Sequence, residues 1–231
     1  MGRAVAETDP NGLRYERKFV PERLGIPETE ALIRLHPAGF REIHHARWVN
    51  NIYFDTPSLD HYDANVRGVA RRVKCRIRWY GDLLGPVGRP TLELKRKQGI
   101  VGSKQGHPLQ PFDHAEGFDA RALLEKSDLP AALRPELAPL RPILTNRYLR
   151  RYFLSSDGGY RVTLDSELGF WPVGPAAGSF RGLSTGDARV ILELKFGIGG
   201  EEGGARIASQ LPFRVTRSSK YVTGIDLLYG R

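Results

Sequence analysis

Much of the chain alternates apolar and polar residues with a period of two, which is typical of β-strands. Clusters of glycine and proline separate the alternating stretches from one another. The alternation predicts strands over residues 14–20, 48–54, 70–80, 90–97, 147–155, 160–165, 189–196 and 213–217. About eight strands with few helices predict an α+β fold built on an antiparallel sheet, and such a sheet can close into a barrel.

A few helices and loops are predicted between these strands. Helices are predicted over residues 28–35, 120–126 and 221–229. The sequence Asp55-Thr56-Pro57 predicts another helix start, with Thr56 as the N-cap and Pro57 as the first helical residue. Glycine-rich stretches predict loops over residues 81–88, 172–186 and 197–204.

The domain organisation is expected to be simple. No internal repeat or low-complexity tract divides the chain. We therefore expect a flexible N-terminal tail over residues 1–12 and a single domain over residues 13–231.

The charge balance narrows the range of partners. The 35 Lys and Arg residues against 26 Asp and Glu residues leave a net charge of +9. A surplus of this size favours anionic partners such as nucleic acids, anionic lipids or phosphate compounds.

Cysteine content and hydropathy indicate the compartment. A single cysteine, Cys75, excludes a disulfide framework and a metal site built from several cysteines. No run approaches the ~18 apolar residues of a membrane span, and the N-terminus lacks the apolar core of a secretory signal. We therefore expect a soluble protein in a reducing compartment, the cytoplasm.

The charged residues of the predicted strands form rows, because residues two apart share one face of a sheet. The rows are Arg14, Glu16 and Lys18; Arg72, Lys74, Arg76 and Arg78; Glu93, Lys95 and Lys97; and Glu193 with Lys195. A half-buried sheet with one face in water also shows charged rows, and for a single strand that explanation suffices. Four such rows, mostly basic, would repel one another on adjacent strands unless a bound polyanion neutralised them. A barrel with the rows inside would hold a polyanion and leave carboxylates for a divalent cation.

Other catalytic motifs are missing from the sequence. It contains no P-loop, no dinucleotide-binding glycine motif after a strand and no His-Glu-x-x-His zinc motif. His44 and His45 have no partner at ligand spacing and are expected to form a surface pair. Ser219 and Lys220 are adjacent, but neither an oxyanion hole nor an orienting group accompanies them.

Seven short motifs occur in an order that resembles a known family. They are Glu16-Arg17-Lys18-Phe19, Tyr53-Phe54-Asp55-Thr56-Pro57, Arg76-Ile77-Arg78-Trp79-Tyr80-Gly81, Leu92-Glu93-Leu94-Lys95, Arg161-Val162-Thr163-Leu164-Asp165, Glu193-Leu194-Lys195-Phe196 and Ser219-Lys220-Tyr221. Together they resemble the polyphosphate polymerase domain of the vacuolar transporter chaperone (VTC) family, a branch of the CYTH-like triphosphate tunnel metalloenzymes. The resemblance covers residues 14–229. It implies an antiparallel tunnel barrel that holds a triphosphate or polyphosphate chain and a divalent metal, Mn²⁺ or Mg²⁺.

The resemblance also assigns site residues position by position. The catalytic, phosphate-holding cations of the family match Lys18, Arg76, Arg78, Lys95, Arg150, Arg161 and Lys220. Further substrate-binding residues match Lys97, Lys104, Tyr148, Lys195, Arg217 and Ser219. The metal-binding carboxylate matches Glu193, with Glu16 or Glu93 as additional ligands. We expect Lys18, Arg76, Arg78, Lys95, Arg161 and Glu193 to converge on one lumen.

Two departures from the family pattern affect the expected function. The superfamily opens with Glu-x-Glu-x-Lys, whereas this chain has Arg14 in the first of those positions, which disfavours a two-metal hydrolytic site. The eukaryotic complexes also carry a phosphate-sensing domain and membrane helices, for which this chain has no room. Export of a product would therefore need a membrane-protein partner, at the inner face of the membrane.

The resemblance implies a polyphosphate polymerase that transfers the γ-phosphoryl group of ATP to a growing chain. A metal-dependent triphosphatase on the same barrel is the nearest alternative, although water as the nucleophile usually needs a carboxylate base. A non-catalytic module that binds polyphosphate is an alternative from another class. A nucleic-acid partner is not expected, because no reading motif accompanies the positive charge.

Overall fold

A computed structural model describes residues 14–99, 101–115, 118–173 and 185–231. The strands are β1 (Tyr15–Phe19), β2 (Arg41–Asp55), β3 (Arg71–Tyr80), β4 (Gly85–Val87), β5 (Thr91–Gln98), β6 (Val101–Pro108), β7 (Phe112–His114), β8 (Arg141–Leu154), β9 (Tyr160–Pro172), β10 (Thr185–Asp187) and β11 (Ile191–Phe196). The helices are α1 (Ile26–Arg34), α2 (Asp60–Val66), α3 (Ala120–Lys126), α4 (Arg134–Leu137), α5 (Glu201–Ser209) and α6 (Lys220–Tyr229), with a 3-10 turn over Ala131–Leu133. The predicted tail over residues 1–12 lies outside the described residues.

Eight of the strands form a closed antiparallel barrel. They hydrogen-bond in the order β1-β11-β9-β8-β2-β3-β5-β6. An isolated antiparallel bridge between Arg14, directly before β1, and Gly102 in β6 joins the two ends of this order. The short β10 pairs with β9 outside the ring, and β4 pairs with β7 in a separate ribbon. The predicted α+β tunnel barrel is therefore confirmed.

The outer face of the barrel is apolar and is covered by helices, as the alternation predicts. On β3, Cys75, Ile77 and Trp79 are buried in a cluster with Leu123 of α3. A second outer cluster packs strands β9 and β11 against α1 and α5, with Ile33 and the α5 residues Ile207 and Ala208 among its members. Burial of such side chains stabilises the fold by about 1.5–3 kcal/mol each.

Part of the interior face is apolar as well. Tyr53 on β2 is the cross-strand neighbour of both Arg76 on β3 and Leu144 on β8, so the three side chains share the interior face. Tyr221 of α6 stacks on Tyr53 with ring centroids 5.2 Å apart. We call the cluster of Tyr53, Leu144, Phe170, Tyr221 and Ile225 the apolar plug. Helix α6 thus covers one part of the barrel interior.

Glycine allows α6 to pack this closely. A Cβ atom at Gly224 would lie 2.7 Å from the Phe170 ring and 3.1 Å from Leu144. Gly224 lowers helix propensity, yet it is buried within α6 because only a residue without a side chain fits there.

Helix α5 corrects one predicted loop. Residues 197–204 are rich in glycine and predict a loop, but α5 begins at Glu201. Gly204 lies against the ring of Phe196, and a Cβ atom there would collide with it. The glycine therefore reflects close packing of a helix on β11 and not a flexible segment.

The prediction of a helix start at Thr56 is wrong. Helix α2 begins at Asp60, and its N-cap position is Leu59. Asp55 takes the capping role, because its carboxylate accepts hydrogen bonds from the backbone N–H groups of His61 and Tyr62, each at 2.9 Å. Thr56 contributes a hydroxyl that accepts from the Asp60 N–H at 3.0 Å.

The predicted strand over 213–217 is also wrong. The segment forms an isolated bridge between Val215 and Phe19, and the backbone N–H of Thr216 donates to Lys18 at 2.8 Å. A ladder needs consecutive bridges to the same neighbour, and within the described residues this segment makes one. It leads instead to the start of α6.

Several predicted bounds change. Strands β2, β8 and β9 are longer than predicted, and β6 was not predicted. The predicted loop over 81–88 contains β4, and of the predicted loop over 172–186 the residues 174–184 lie outside the described residues. None of the described helices combines the length and the apolar character needed to cross a bilayer.

Candidate functional site

Charged side chains from several strands meet on the interior face around four carboxylates. The first is Glu193 on β11, which is 6% exposed. Its oxygens lie 3.2 Å from Lys18 Nζ, 2.6 Å from Lys195 Nζ and 3.6 Å from Arg150 Nη2. Strands β1, β8 and β11 therefore place three cations around one carboxylate.

Glu93 on β5 forms a second cluster. Arg76 donates to one of its oxygens from Nε at 2.9 Å and from Nη2 at 2.7 Å. Lys104 Nζ donates to the other oxygen at 2.9 Å, and Arg78 Nη1 lies 3.5 Å away. Because Arg76 and Arg78 alternate with buried apolar residues on β3, both guanidinium groups point to the interior face.

Glu16 on β1 pairs with Lys95 on β5. Lys95 Nζ donates to both carboxylate oxygens at 2.7 Å. Arg14 Nε lies 4.0 Å from Glu16, next to the bridge that closes the barrel. A small cavity opens beside this pair, and its lining residues are Arg14, Glu16, Lys95, Lys97, Gly102, Ser103 and Lys104.

Asp165 on β9 is the fourth carboxylate, and sequence reasoning did not select it. Arg150 donates two parallel hydrogen bonds to its carboxylate, from Nε at 2.5 Å and from Nη2 at 2.6 Å. Lys220, the first residue of α6, donates to it at 2.5 Å. Asp165 is fully buried, so it fixes two predicted phosphate-holding cations from different elements. Its strand parity with Arg161 and Thr163 was the signal that could have found it.

We call the interior face around Glu16, Glu93, Asp165 and Glu193 the basic tunnel. Together with Lys74, the cations paired with these carboxylates outnumber them, ten to four, within the described residues. They are Arg14, Lys18, Lys74, Arg76, Arg78, Lys95, Lys104, Arg150, Lys195 and Lys220. The basic tunnel is therefore suited to an anionic guest.

All four carboxyls of the basic tunnel have lowered pKa values. Burial alone raises the pKa of the Glu93 carboxyl, but the charges of Arg76, Arg78 and Lys104 outweigh burial and hold it well below its ordinary 4.5. Such carboxylates stay ionised and are weak bases.

The lysines respond in different directions. Burial lowers the pKa of Lys95 to about 8, even though Glu16 opposes the shift. Burial also acts against the charged form of Lys18, but Glu193 and Glu16 outweigh it and raise the pKa of that amine.

The remaining predicted residues lie in different surroundings. The Tyr148 hydroxyl accepts from Arg78 Nη2 at 3.0 Å, and its ring lies 4.5 Å from Lys220 Nζ, so the buried tyrosine supports cations. Ser219 is the N-cap of α6 and accepts from Lys74 at 2.7 Å. Arg161 and Arg217 are exposed.

Two further polar side chains hold the arginines in place. Tyr53 Oη accepts from Arg76 at 3.0 Å, and Asn51 Oδ1 accepts from Arg78 Nε at 2.9 Å. Neither carries a charge, so the charged rows gave no signal for them. His44 and His45 are exposed, as predicted for a surface pair.

The donor set decides what kind of metal site is feasible. The described residues contain no group of three His, Cys, Asp or Glu side chains placed to hold a metal ion. Glu16 and Glu193 are diagonal neighbours on β1 and β11, close enough for Glu193 to act on the pKa of Glu16. Carboxylate oxygens suit Mg²⁺ and Mn²⁺, and Mg²⁺ commonly binds one or two carboxylates together with substrate phosphates. The residues thus fit a metal shared with a bound phosphate chain.

Solved structures share this fold. A candidate adenylyl cyclase from Hippeastrum, reported to have a dominant triphosphatase activity, aligns with a TM-score of 0.53 at 16% identity over 91% of this chain and 93% of that one. A candidate adenylate cyclase from Bacillus halodurans aligns with a TM-score of 0.51 at 17% identity over 94% and 97%. One from Vibrio parahaemolyticus aligns with a TM-score of 0.52 at 11% identity over 91% and 97%. At these identities the likeness concerns the fold.

No curated protein sequence matches the chain. A family model for the VTC domain matches residues 13–229, which span the barrel and every carboxylate of the basic tunnel. With a match of that extent on a closed antiparallel barrel lined by cations, the chain belongs to the VTC domain family.

Proposed function

We propose that this chain is a metal-dependent polyphosphate polymerase that uses ATP, with one tunnel domain over residues 13–231. The observation that carries the proposal is the basic tunnel, in which cations from at least six different strands and one helix face one interior. Phosphoryl transfer requires positioning and charge neutralisation more than covalent participation by the protein. An excess of cations on the interior face supplies both.

The proposed step is an in-line displacement. An oxygen of the terminal phosphate of the chain attacks the γ-phosphorus of ATP, a new P–O bond forms, and the bond to the β-phosphate oxygen breaks to release ADP. Arg76, Arg78 and Arg150 present planar forks to phosphate oxygens, whereas Lys18 and Lys95 act as point charges. Arg161, Arg217 and Lys97, which are more exposed, would meet the part of the chain that leaves the tunnel.

A divalent cation, Mn²⁺ or Mg²⁺, would be held by Glu193 on β11 together with Glu16 on β1 or Glu93 on β5. It would neutralise charge that develops between the β- and γ-phosphates. Because each glutamate already binds lysine or arginine, the phosphate chain must draw these cations away before the carboxylates are free for a metal.

The carboxylates favour a polymerase over a triphosphatase. Hydrolysis usually needs a base to activate water, and a base works best when its pKa lies near the working pH. The four tunnel carboxyls have pKa values below their ordinary range. Arg14 replaces the carboxylate that opens the superfamily motif and lies beside Glu16.

A triphosphatase is the second candidate, and the triphosphatase activity reported for the Hippeastrum protein favours it. The same barrel and the same cations would bind inorganic triphosphate or a nucleoside triphosphate. A module that only binds polyphosphate would use these cations too. For all three we propose a cytoplasmic location, with a membrane-protein partner where a product is exported.

One assay separates these functions. The purified chain is incubated with ATP and Mn²⁺, and the products are resolved by anion-exchange chromatography. Polyphosphate and ADP support the polymerase, and orthophosphate without chains supports the triphosphatase. Tight polyphosphate binding without turnover supports the binding module. The Arg78→Ala variant controls for contaminating enzymes, because it should lower any activity that belongs to the tunnel.

A further inference from the structure

Lys74 on β3 differs from the other lysines of the basic tunnel. Lys18, Lys95, Lys104, Lys195 and Lys220 each have a carboxylate oxygen within 3.2 Å. Within the described part of the chain, Lys74 has no such partner, and its Nζ donates to the hydroxyl of Ser219 at 2.7 Å. A hydroxyl satisfies a hydrogen bond but does not neutralise an ammonium charge.

The charged groups that face Lys74 are all cations. Lys95 on β5 is its direct cross-strand neighbour, Arg72 and Arg76 flank it on β3, and Lys18 faces it from β1. Ser219 faces it from the start of α6. Burial and these four positive charges lower the pKa of Lys74 well below its ordinary 10.5. In the empty tunnel the ammonium form is therefore less favoured at this position than at the lysines that have a carboxylate partner.

We propose that Lys74 directly binds a phosphate group of the substrate and takes up a proton when it does so. The inference rests on the proposed function, since it needs a phosphate chain in the basic tunnel. A phosphate beside Nζ reverses the electrostatic effect on Lys74, because its negative charge offsets the four neighbouring cations and attracts the ammonium form. The ammonium then becomes the favoured form, with its proton taken from the buffer or from the terminal phosphate.

This coupling gives the tunnel a pH dependence with a definite sign. Binding that consumes a proton weakens as the pH rises above the pKa of Lys74 in the empty tunnel. Lys97 also has no carboxylate partner within the described residues, and burial together with Arg72 lowers its pKa, although less strongly than that of Lys74.

The test compares proton uptake between the natural chain and Lys74→Arg. Tripolyphosphate is titrated into each protein by calorimetry in two buffers with different ionisation enthalpies, and the difference in heat gives the protons bound. Arginine stays charged at all working pH values, so it can hold phosphate without gaining a proton. Proton uptake by tripolyphosphate itself is common to both titrations and cancels in the comparison.

We expect Lys74→Arg to bind tripolyphosphate within about threefold of the natural chain but with a smaller proton uptake. Lys74→Met should bind about ten- to a hundredfold more weakly, the equivalent of one lost hydrogen bond to a charged group. Lys126→Met, an exposed lysine of α3, is the matched control and should change neither quantity.

Equal proton uptake in the natural chain and Lys74→Arg would overturn the inference, as would full affinity in Lys74→Met. If Lys74→Met fails to fold, the Lys74→Arg comparison decides alone. Failure of the natural chain to bind tripolyphosphate is a separate outcome, which refutes the proposed function together with the inference.

Discussion

The interior of the barrel contains two regions with opposite chemistry, the basic tunnel and the apolar plug. They meet across neighbouring strands, because Tyr53 of the plug on β2 lies directly opposite Arg76 of the tunnel on β3 and accepts a hydrogen bond from it. In the plug, α6 buries aromatic and aliphatic side chains against one another. In the tunnel, cations exceed carboxylates, so part of the positive charge is not neutralised by the protein.

This difference separates stability from binding. Apolar burial stabilises the folded chain whether or not a ligand is present. Uncompensated cations act against the empty fold, and a bound polyanion relieves their repulsion. The plug should therefore determine the free energy of unfolding, and the tunnel should determine which ligand the barrel binds. Asp165 stands between the two, since it anchors the first residue of α6 to the tunnel arginine Arg150.

The largest expected effect is that of Asp165→Asn. The change leaves Arg150 and Lys220 buried without their shared carboxylate, and breaking a buried ion pair in this way costs about 3–5 kcal/mol. Urea denaturation near neutral pH measures the loss. The matched control is Glu136→Gln, which breaks a surface pair with Arg96 and should cost about 1 kcal/mol or less. A loss no larger than the control would mean that Asp165 does not join the two regions.

Asp165 also predicts an acid dependence. Its pKa is lowered in the folded chain, where burial opposes the shift and Arg150 and Lys220 cause it. Its contribution is therefore complete above the ordinary value of 3.8 and is lost as the pH falls toward the lower folded value. We expect the stability gap between the natural chain and Asp165→Asn to close in acid. A gap that stays constant from neutral to acid pH would contradict this assignment.

Ile225→Ala tests the plug alone. Ile225 is fully buried, and its truncation should lower the free energy of unfolding by about 2–5 kcal/mol because it leaves a cavity. The affinity for tripolyphosphate should stay within about threefold, since no cation is removed. Leu227→Ala on the same helix, 47% exposed, should be close to neutral in both measurements. A loss of tripolyphosphate affinity in Ile225→Ala without a loss of stability would contradict the separation of stability and binding between the two regions.

Glu193→Gln tests the tunnel without removing a cation. We expect turnover to fall about 100-fold, because a ligand for the metal is lost, while the affinity for tripolyphosphate is retained. Steady-state kinetics at varied Mn²⁺, together with calorimetry, separate the two effects, and Glu136→Gln again serves as the control. Unchanged turnover would move the metal to Glu16 or Glu93.

Arg78→Ala has the smallest expected effect and distinguishes a built site from diffuse attraction. It should cost about 1.5–3 kcal/mol of tripolyphosphate binding, the range for a hydrogen bond to a charged group. Arg41→Ala and Arg134→Ala, which change exposed arginines outside the tunnel, should cost little. Calorimetry at low and moderate salt compares the three variants, because screening weakens exposed charges first. Equal losses in all three would show that net charge alone explains binding.

The two regions also differ in how well the sequence predicts them. On β3 the alternation of Lys74, Arg76 and Arg78 with apolar residues predicts both faces correctly. On β2 the interior residues Asn51 and Tyr53 carry no charge, so nothing in their pattern distinguishes the interior from the exterior.

The packing of α6 into the barrel interior could not be predicted from the sequence for a related reason. Its residues Tyr221 and Ile225 predict a helix with an apolar side, but the surface that it covers is set by strands far away in the chain. Asp165 shows the same limit, since its partners come from β8 and α6. Ion pairs of this kind depend on which strands become neighbours, and local periodicity does not contain that information. Gly204 and Gly224 mark close contacts that the sequence alone presents as weak helix formers.

The joint between β1 and β6 gives the barrel a mechanical asymmetry. Every other neighbouring pair is held by a ladder of at least five paired positions, whereas one bridge, between Arg14 and Gly102, completes the circle within the described residues. The edge between β1 and β6 is therefore the place where the barrel opens most easily. Amide hydrogens beside this edge should exchange with solvent faster than those of the ladders, because fewer bonds must break to expose them. The ion pair between Lys95 on β5 and Glu16 on β1 holds the strands on the two sides of this edge together. A ligand that competes for either side chain would therefore also weaken the closure of the barrel.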